Sequence, residues 1–284
     1  MFPSAPNLPL TNQTLVLRIV NFIMYQSRLP FIILPVALPA AYLLYLSWKV
    51  TRTTSAKRGQ YDSSAPDSDT DSSPGMPFSI PAEVIEDDGS RWVVSYERVV
   101  SDPVLVSNLT ISEDDSDVTD ERKREHPSPL IQAYSRAAHI AFSATPQARL
   151  MRIAILDDDG KRTFDARWIR ELAFQKGDVV NGAYKVVYHG SGVSPRSERI
   201  ELLIESPPSY RGPPAPEGLI LAEIRHARTD DQGQASVVFV NETWMWRRVD
   251  HLPTMIENSV GGKIHEMLAR WLVVRGVEGV TERR

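Results

Sequence analysis

The hydrophobic pattern begins with an uncharged apolar run over residues 30–48 (PFIILPVALPAAYLLYLSW). At about 1.5 Å per helical residue it nearly crosses a hydrocarbon core of about 30 Å, which predicts one transmembrane helix. A bilayer helix tolerates Pro35 and Pro39 as kinks, and Tyr42, Tyr45 and Trp48 suit its interfacial end. A cleaved signal peptide is the alternative. The run is longer than a usual signal core, however, and lacks a small-residue cleavage site with a basic stretch directly before it. Within the N-terminal segment 1–29, residues 15–24 (LVLRIVNFIM) are too short to cross and read as an interfacial helix or an extension of the span. Lys49, Arg52, Lys57 and Arg58 follow the span, against Arg18 and Arg28 before it, so the C-terminal side is expected in the cytosol. That orientation suits the endoplasmic reticulum. The lack of acidic residues before Asp62 also matches mitochondrial targeting segments, leaving the inner membrane as the alternative.

Residues 49–77 are rich in Ser, Asp, Thr, Pro and Gly and are expected to be a disordered tether to a single soluble α+β domain, 78–284. The acidic stretch 112–125 reads as a solvated surface loop; it lacks the glycine turn and terminal glutamate of a calcium loop. Residues 91–100 (RWVVSYERVV) predict a strand. Residues 130–142 follow Ser128 and Pro129 with apolar positions at helical spacing and predict a helix. Residues 150–156 (LMRIAIL) read as a strand, Asp157 to Gly160 as a turn, and 164–174 as a short amphipathic helix. Four extended segments at hairpin spacing, 183–188, 199–205, 219–226 and 236–248, predict an antiparallel sheet. A final helix is expected from Ser259 as N-cap to Gly276 as stop, burying Ile264, Leu268, Trp271 and Leu272 on the sheet.

A net charge of -4 and a pI near 5.9 supply no broad basic field, so nucleic acid is not an expected partner. The absence of cysteine removes thiol nucleophiles, thiolate metal sites and disulfides. Asn-x-Ser/Thr patterns begin at Asn12, Asn108 and Asn241, and in the expected orientation Asn12 alone meets the glycosylation machinery. The histidines include no i, i+4 pair and no compact 2-His-1-carboxylate cluster, so no metal is expected. Gly-x-Ser-x-Gly, Walker and dinucleotide motifs are missing, and no cofactor is implied.

Candidate chemistry gathers in 236–248. Alternation puts Val238, Val240, Glu242, Trp244 and Trp246 on one face. Burial between valine and tryptophan would raise the Glu242 pKa and suit it to acid–base catalysis; an ion pair with an arginine such as Arg225, or an edge position facing solvent, are the structural alternatives. His251, beside Asp250, is the second catalytic candidate. Tyr184, Tyr188, Trp244, Trp246 and His265 are the candidate ligand-binding residues, with core packing or a surface position the ordinary alternative for each. Tyr184 and Tyr188 are expected to share a strand face.

This order, strand and helices followed by an antiparallel meander and a long final helix, resembles the START-like helix-grip fold over roughly residues 80–280. More narrowly, 218–276, with Asn241-Glu242-Thr243-Trp244-Met245-Trp246 and Trp271-Leu272-Val273-Val274-Arg275-Gly276, is similar to uncharacterised membrane-anchored proteins encoded near secondary-metabolite gene clusters of filamentous fungi. The resemblance implies a hydrophobic small-molecule partner and a tailoring role on a polyketide or terpenoid, as a cofactor-independent isomerase or cyclase. A lipid-binding or transfer module and a membrane scaffold are the non-enzymatic alternatives.

Overall fold

The computed structural model describes residues 45, 47–61, 75–87, 89–111, 126–194, 196–227 and 233–282. The chain divides into two units, 1–49 and 50–284, and the fold below is that of the second. The expected interfacial segment, nearly all of the expected span and the acidic loop 112–125 lie outside the described residues. No helix among the described residues is long and apolar enough to cross a membrane.

The domain is α+β. Its strands are β1 (Thr54–Gln60), β2 (Trp92–Ser101), β3 (Val104–Leu105), β4 (Val179–Val180), β5 (Tyr184–Ser191), β6 (Ser197–Ile204), β7 (Gly218–Ala227) and β8 (Ser236–Arg248). They pair antiparallel in the order β1-β2-β8-β7-β6-β5-β4, and β3 continues along β8 beyond the end of β2. The helices are α1 (Ala82–Ile85), α2 (Pro129–Ser143), α3 (Pro146–Ala154), α4 (Asp158–Arg162), α5 (Ala166–Glu171) and α6 (Ser259–Glu278). Helices α2 and α6 pack on each other and on one face of the sheet, so the expected C-terminal helix over an antiparallel sheet is present.

Local chemistry explains most boundaries. Ser128 caps α2 with Pro129 in its first turn, as expected, while Thr145 and Pro146 start α3 in the same manner. Residues 150–156 were expected as strand but are mostly α3. Its side chains Leu150 and Ile153 face solvent, so the apolar run marks no buried strand. The expected turn at Asp157 is instead the N-cap of α4, whose Gly160 amide it accepts. The final helix starts one residue earlier than expected, with the Asn258 carboxamide accepting from the Val260 and Gly261 amides. Gly276 does not stop it. The glycine lies within α6 where a Cβ would overlap the Tyr134 ring, and so permits the close approach of α2 and α6. Ile264 of the expected buried stripe is exposed.

Part of the expected tether belongs to the fold. Residues 54–60 form β1, paired along its whole length with β2. An edge strand gains backbone hydrogen bonds without needing aliphatic side chains, so composition concealed it. Residues 75–87 cross the opposite face of the sheet as a strap. There Ile80 and Val84 pack with Tyr96, Leu219, Trp244 and Trp246. Glu201, fully buried, accepts the Phe78 and Ser79 amides at 2.9 Å each, fastening the strap to β6.

Candidate functional site

The sheet has two unlike faces. Beneath the strap, register aligns Arg98 of β2, Glu242 of β8, Glu223 and Arg225 of β7, and Arg199 and Glu201 of β6. Arg199 Nη2 lies 2.6 Å from Glu223 Oε2, Arg225 Nε 2.9 Å from Glu223 Oε1, and Arg199 Nη1 3.4 Å from Glu201 Oε1. Glu242 accepts from Trp244 Nε1 at 2.7 Å, and its other oxygen is 3.7 Å from Arg98 Nε. Burial pushes the Glu242 carboxyl above its usual range, with the Arg98 charge opposing that shift. The arginine facing it is thus its cross-strand partner Arg98, while Arg225 holds Glu223.

Trp244 and Trp246 are core residues of this same face. A cleft of about 250 Å3 runs beside them, lined by Tyr61, Met76, Ile80, Val84, Asp87 and Trp92 among others. Its carboxylate, Asp87, accepts amides from Gly89, Arg91 and Trp92 and pairs with Arg91, which holds it down at about 2, so it serves the loop rather than a ligand.

The other face, under α2 and α6, encloses a cavity of about 90 Å3. Its floor includes Leu202, Ile220, Ala222, Asn241 and Thr243; its roof includes Tyr134, Ser135, Ala138, His139 and Phe142 of α2 with His265, Leu268, Ala269 and Leu272 of α6. Tyr184 of β5 and Gln147 of α3 close the side. Apolar walls therefore surround a small set of polar groups, the usual make-up of a small-molecule site.

Those polar groups are held in defined orientations. Tyr134 donates its hydroxyl to Asn241 Oδ1 at 2.8 Å, which leaves the Asn241 amide nitrogen as a donor. Asn181 Nδ2 donates to Ser143 Oγ, so its Oδ1 is the acceptor that receives His139 Nδ1–H at 2.7 Å. This tautomer leaves His139 Nε2 with a free lone pair. Burial lowers the His139 pKa to about 4, so the ring is neutral near pH 7. His265 Nδ1 meets Glu97 Oε1 at 2.7 Å, leaving its Nε2 for a ligand. Glu97 is buried, its Oε2 has no hydrogen-bond partner among the described residues, and the cross-strand residue is Arg58. Ser135 Oγ is likewise buried without a hydrogen-bond partner. Burial pushes the Tyr184 hydroxyl up to about 12, keeping it protonated.

Of the residues expected from sequence, His265, Tyr184 and Glu242 border this cavity, although the Glu242 carboxylate is engaged with Trp244 and Arg98 on the strap face. Tyr188 does not join Tyr184. A bulge between Val186 and Tyr188 reverses the alternation of β5, and Tyr188 turns to the strap face, its ring 5.0 Å from that of Phe78. Glu242 and His251 are also apart. His251 is exposed in the turn after β8, six strand residues or more beyond Glu242, a separation on the order of 20 Å. His139, Glu97, Tyr134 and Asn241 were missed as site residues. A signal existed for Glu97, a carboxylate inside an otherwise apolar strand, but pairing it with His265 needs the fold.

No group of three or more His, Asp or Glu residues among the described ones is arranged to hold a metal ion. No protein-family model matches the chain, and no curated protein matches it either.

Proposed function

We propose that the chain is a membrane-anchored helix-grip-like domain that takes a neutral hydrophobic small molecule into the cavity under α2 and α6 and moves a proton on it without a cofactor. Such chemistry is that of an isomerase or cyclase, and the tailoring of a polyketide or terpenoid fits it. The observation that carries the reading is the pair of imidazoles, from two different helices, lining one cavity with each Nδ1 tied down, to Asn181 for His139 and to Glu97 for His265. His139 Nε2 takes the proton as a neutral, desolvated imidazole and, once protonated, returns the same proton to another atom of the ligand, so none is gained or lost; His265 Nε2 faces the same space as a second hydrogen-bonding group. The Asn241 amide, fixed by Tyr134, is a donor for a carbonyl or enol oxygen as charge develops there.

Size sharpens the proposal. About 90 Å3 is below the roughly 300–1,000 Å3 of pockets that enclose a whole ligand, so the cavity receives the reacting end while the remainder lies in the mouth beside Gln147, Leu268 and Leu272. Strand order supports the helix-grip likeness, since β2 and β4, which flank the helical insert, lie at opposite sides of the meander and α6 lies across it. Anchoring rests on the uncharged run 30–48, with the domain proposed on the cytosolic face of the endoplasmic reticulum. A lipid-soluble substrate is concentrated at that surface.

The test is conversion. The full chain in vesicles is incubated with an organic extract of its source cells, and compounds are followed by chromatography and mass. An isomer of unchanged mass formed by the native chain and not by His139→Gln is the expected result. A compound bound but unchanged would make the domain a transfer module, and neither binding nor conversion would leave the cavity without a ligand role.

A further inference from the structure

The cavity mouth is bordered by apolar side chains that stay exposed among the described residues. On α3, Gln147 lines the cavity and Leu150 follows three positions later on the same stripe; on α6, Leu268 lines it and Ile264 precedes it by four. Leu150 and Ile264 are exposed, as are Ile153 at 74 % and Val260 at 66 %, with Met267 beside them. Both helices contribute to one small cluster, in which Ala148 and Met151 of α3 meet Leu268 and Leu272 of α6. The exposed residues thus belong to the two helices that line the cavity.

The chain itself indicates what covers this rim. Arg270 Nη1 donates to the Thr54 carbonyl at 2.6 Å, so β1 begins against α6, one helical turn from Met267. The apolar run ends at Trp48, and the chain from there to Thr54 spans at most roughly 20 Å even when extended. With residues 30–48 read as a span, this short connection leaves no long tether between the bilayer and the start of β1. Charge agrees: α3 carries Arg149 and Arg152, the latter paired with Asp165 at 3.0 Å, and no acidic residue of its own, Lys263 is exposed on α6, and Glu266 is paired with Arg270 at 2.8 Å. Basic residues among exposed apolar ones suit an anionic lipid interface.

Resting on the reading of residues 30–48 as a membrane span, we infer that the rim formed by Leu150, Ile153, Val260, Ile264 and Met267 docks on the bilayer surface, so that a lipid-dissolved ligand enters the cavity without crossing water. Docking would explain why α6 leaves apolar side chains outside while its cavity stripe is only half-buried.

The chain has no cysteine, so a single introduced one is labelled uniquely. Full-length Ile153→Cys, Ile264→Cys and Lys176→Cys chains carry an environment-sensitive fluorophore in phosphatidylcholine/phosphatidylserine vesicles, with or without brominated phosphatidylcholine. Lys176 is the control, since its turn adjoins the N-terminal end of α2, away from the mouth. Brominated lipid should remove most emission at positions 153 and 264 and leave 176 unchanged. Full emission at 153 and 264 from a chain that resists alkaline carbonate extraction would overturn docking while leaving the span intact. Release of the chain by carbonate would instead remove the span and this inference with it. Efficient coupling of two Ile264→Cys chains by a bifunctional maleimide, without lipid quenching, would assign the rim to a second copy and overturn docking as well.

Discussion

Replacing Arg199 with Met is expected to lower the stability of the fold by about 3–5 kcal/mol. The guanidinium is fully buried and contacts Glu223, Glu201 and the Met76 carbonyl, joining β6, β7 and the strap. Methionine fills similar volume and removes the charge, leaving two carboxylates in a desolvated layer. Arg225 still holds one oxygen of Glu223, and the strap amides still hold Glu201, so the loss stays within the stated range rather than abolishing folding. Urea unfolding of the two chains at pH 7 measures it. Arg199→Met combined with Glu223→Gln should recover part of the loss, because the neutral amide no longer needs the cation. A loss below about 1 kcal/mol would mean that the layer is hydrated and the network contributes like a surface ion pair.

The second large effect is on pH dependence. His139 titrates near 6.5 when unfolded and near 4 when folded, because burial penalises the imidazolium. As pH falls from about 6.5 to about 4, the unfolded chain binds a proton that the folded one refuses, and stability falls. At 1.36 kcal/mol per unit the contribution is about 3 kcal/mol, fully present above pH 6.5 and gone below pH 4. Carboxylates held low, among them Glu223 and Glu257, add losses of the same sign at lower pH. The His139 share is therefore the difference between the native chain and His139→Gln, measured by urea unfolding at pH 7, 5.5 and 4. Parallel curves would show that the ring is solvated or protonated in the fold. They would also remove the neutral base from the proposed chemistry.

Much of the fold was readable from local patterns. Ser128-Pro129 marked α2, alternation marked β6 to β8, and the final helix followed from its apolar spacing. What escaped depended on partners distant in sequence. β1 has a tether-like composition and exists because β2 offers it an open edge. The bulge at Val186–Tyr188 has no mark in the sequence, yet it decides which face each tyrosine serves. Gly276 read as a stop because glycine often ends helices; here the Tyr134 ring requires it inside α6.

The candidate site was legible only in fragments. The burial of the Glu242 carboxylate was legible from its strand neighbours, but the partner that faces it, Arg98, lies in a strand about 140 residues earlier in the chain. Its carboxylate is held among strap, tryptophans and ion pairs, whereas the cavity proposed for the ligand lies under α2 and α6 on the other side of the sheet. His139 lies in a helix whose pattern reads simply as core. Its tautomer depends on Asn181, a residue at positive φ in a turn distant in sequence, which no spacing rule connects to it.

The account stands on the cavity under α2 and α6 being a ligand site, and Ala269→Leu addresses it most directly. Ala269 lines the cavity, so the added side chain takes up part of its roughly 90 Å3 at the expense of a ligand. Full-length chain purified from its source cells is extracted with organic solvent and the extract is quantified by mass spectrometry. An equimolar neutral, apolar small molecule from the native chain, and none from Ala269→Leu, is the expected result. An empty extract, or equal amounts from both chains, would contradict it.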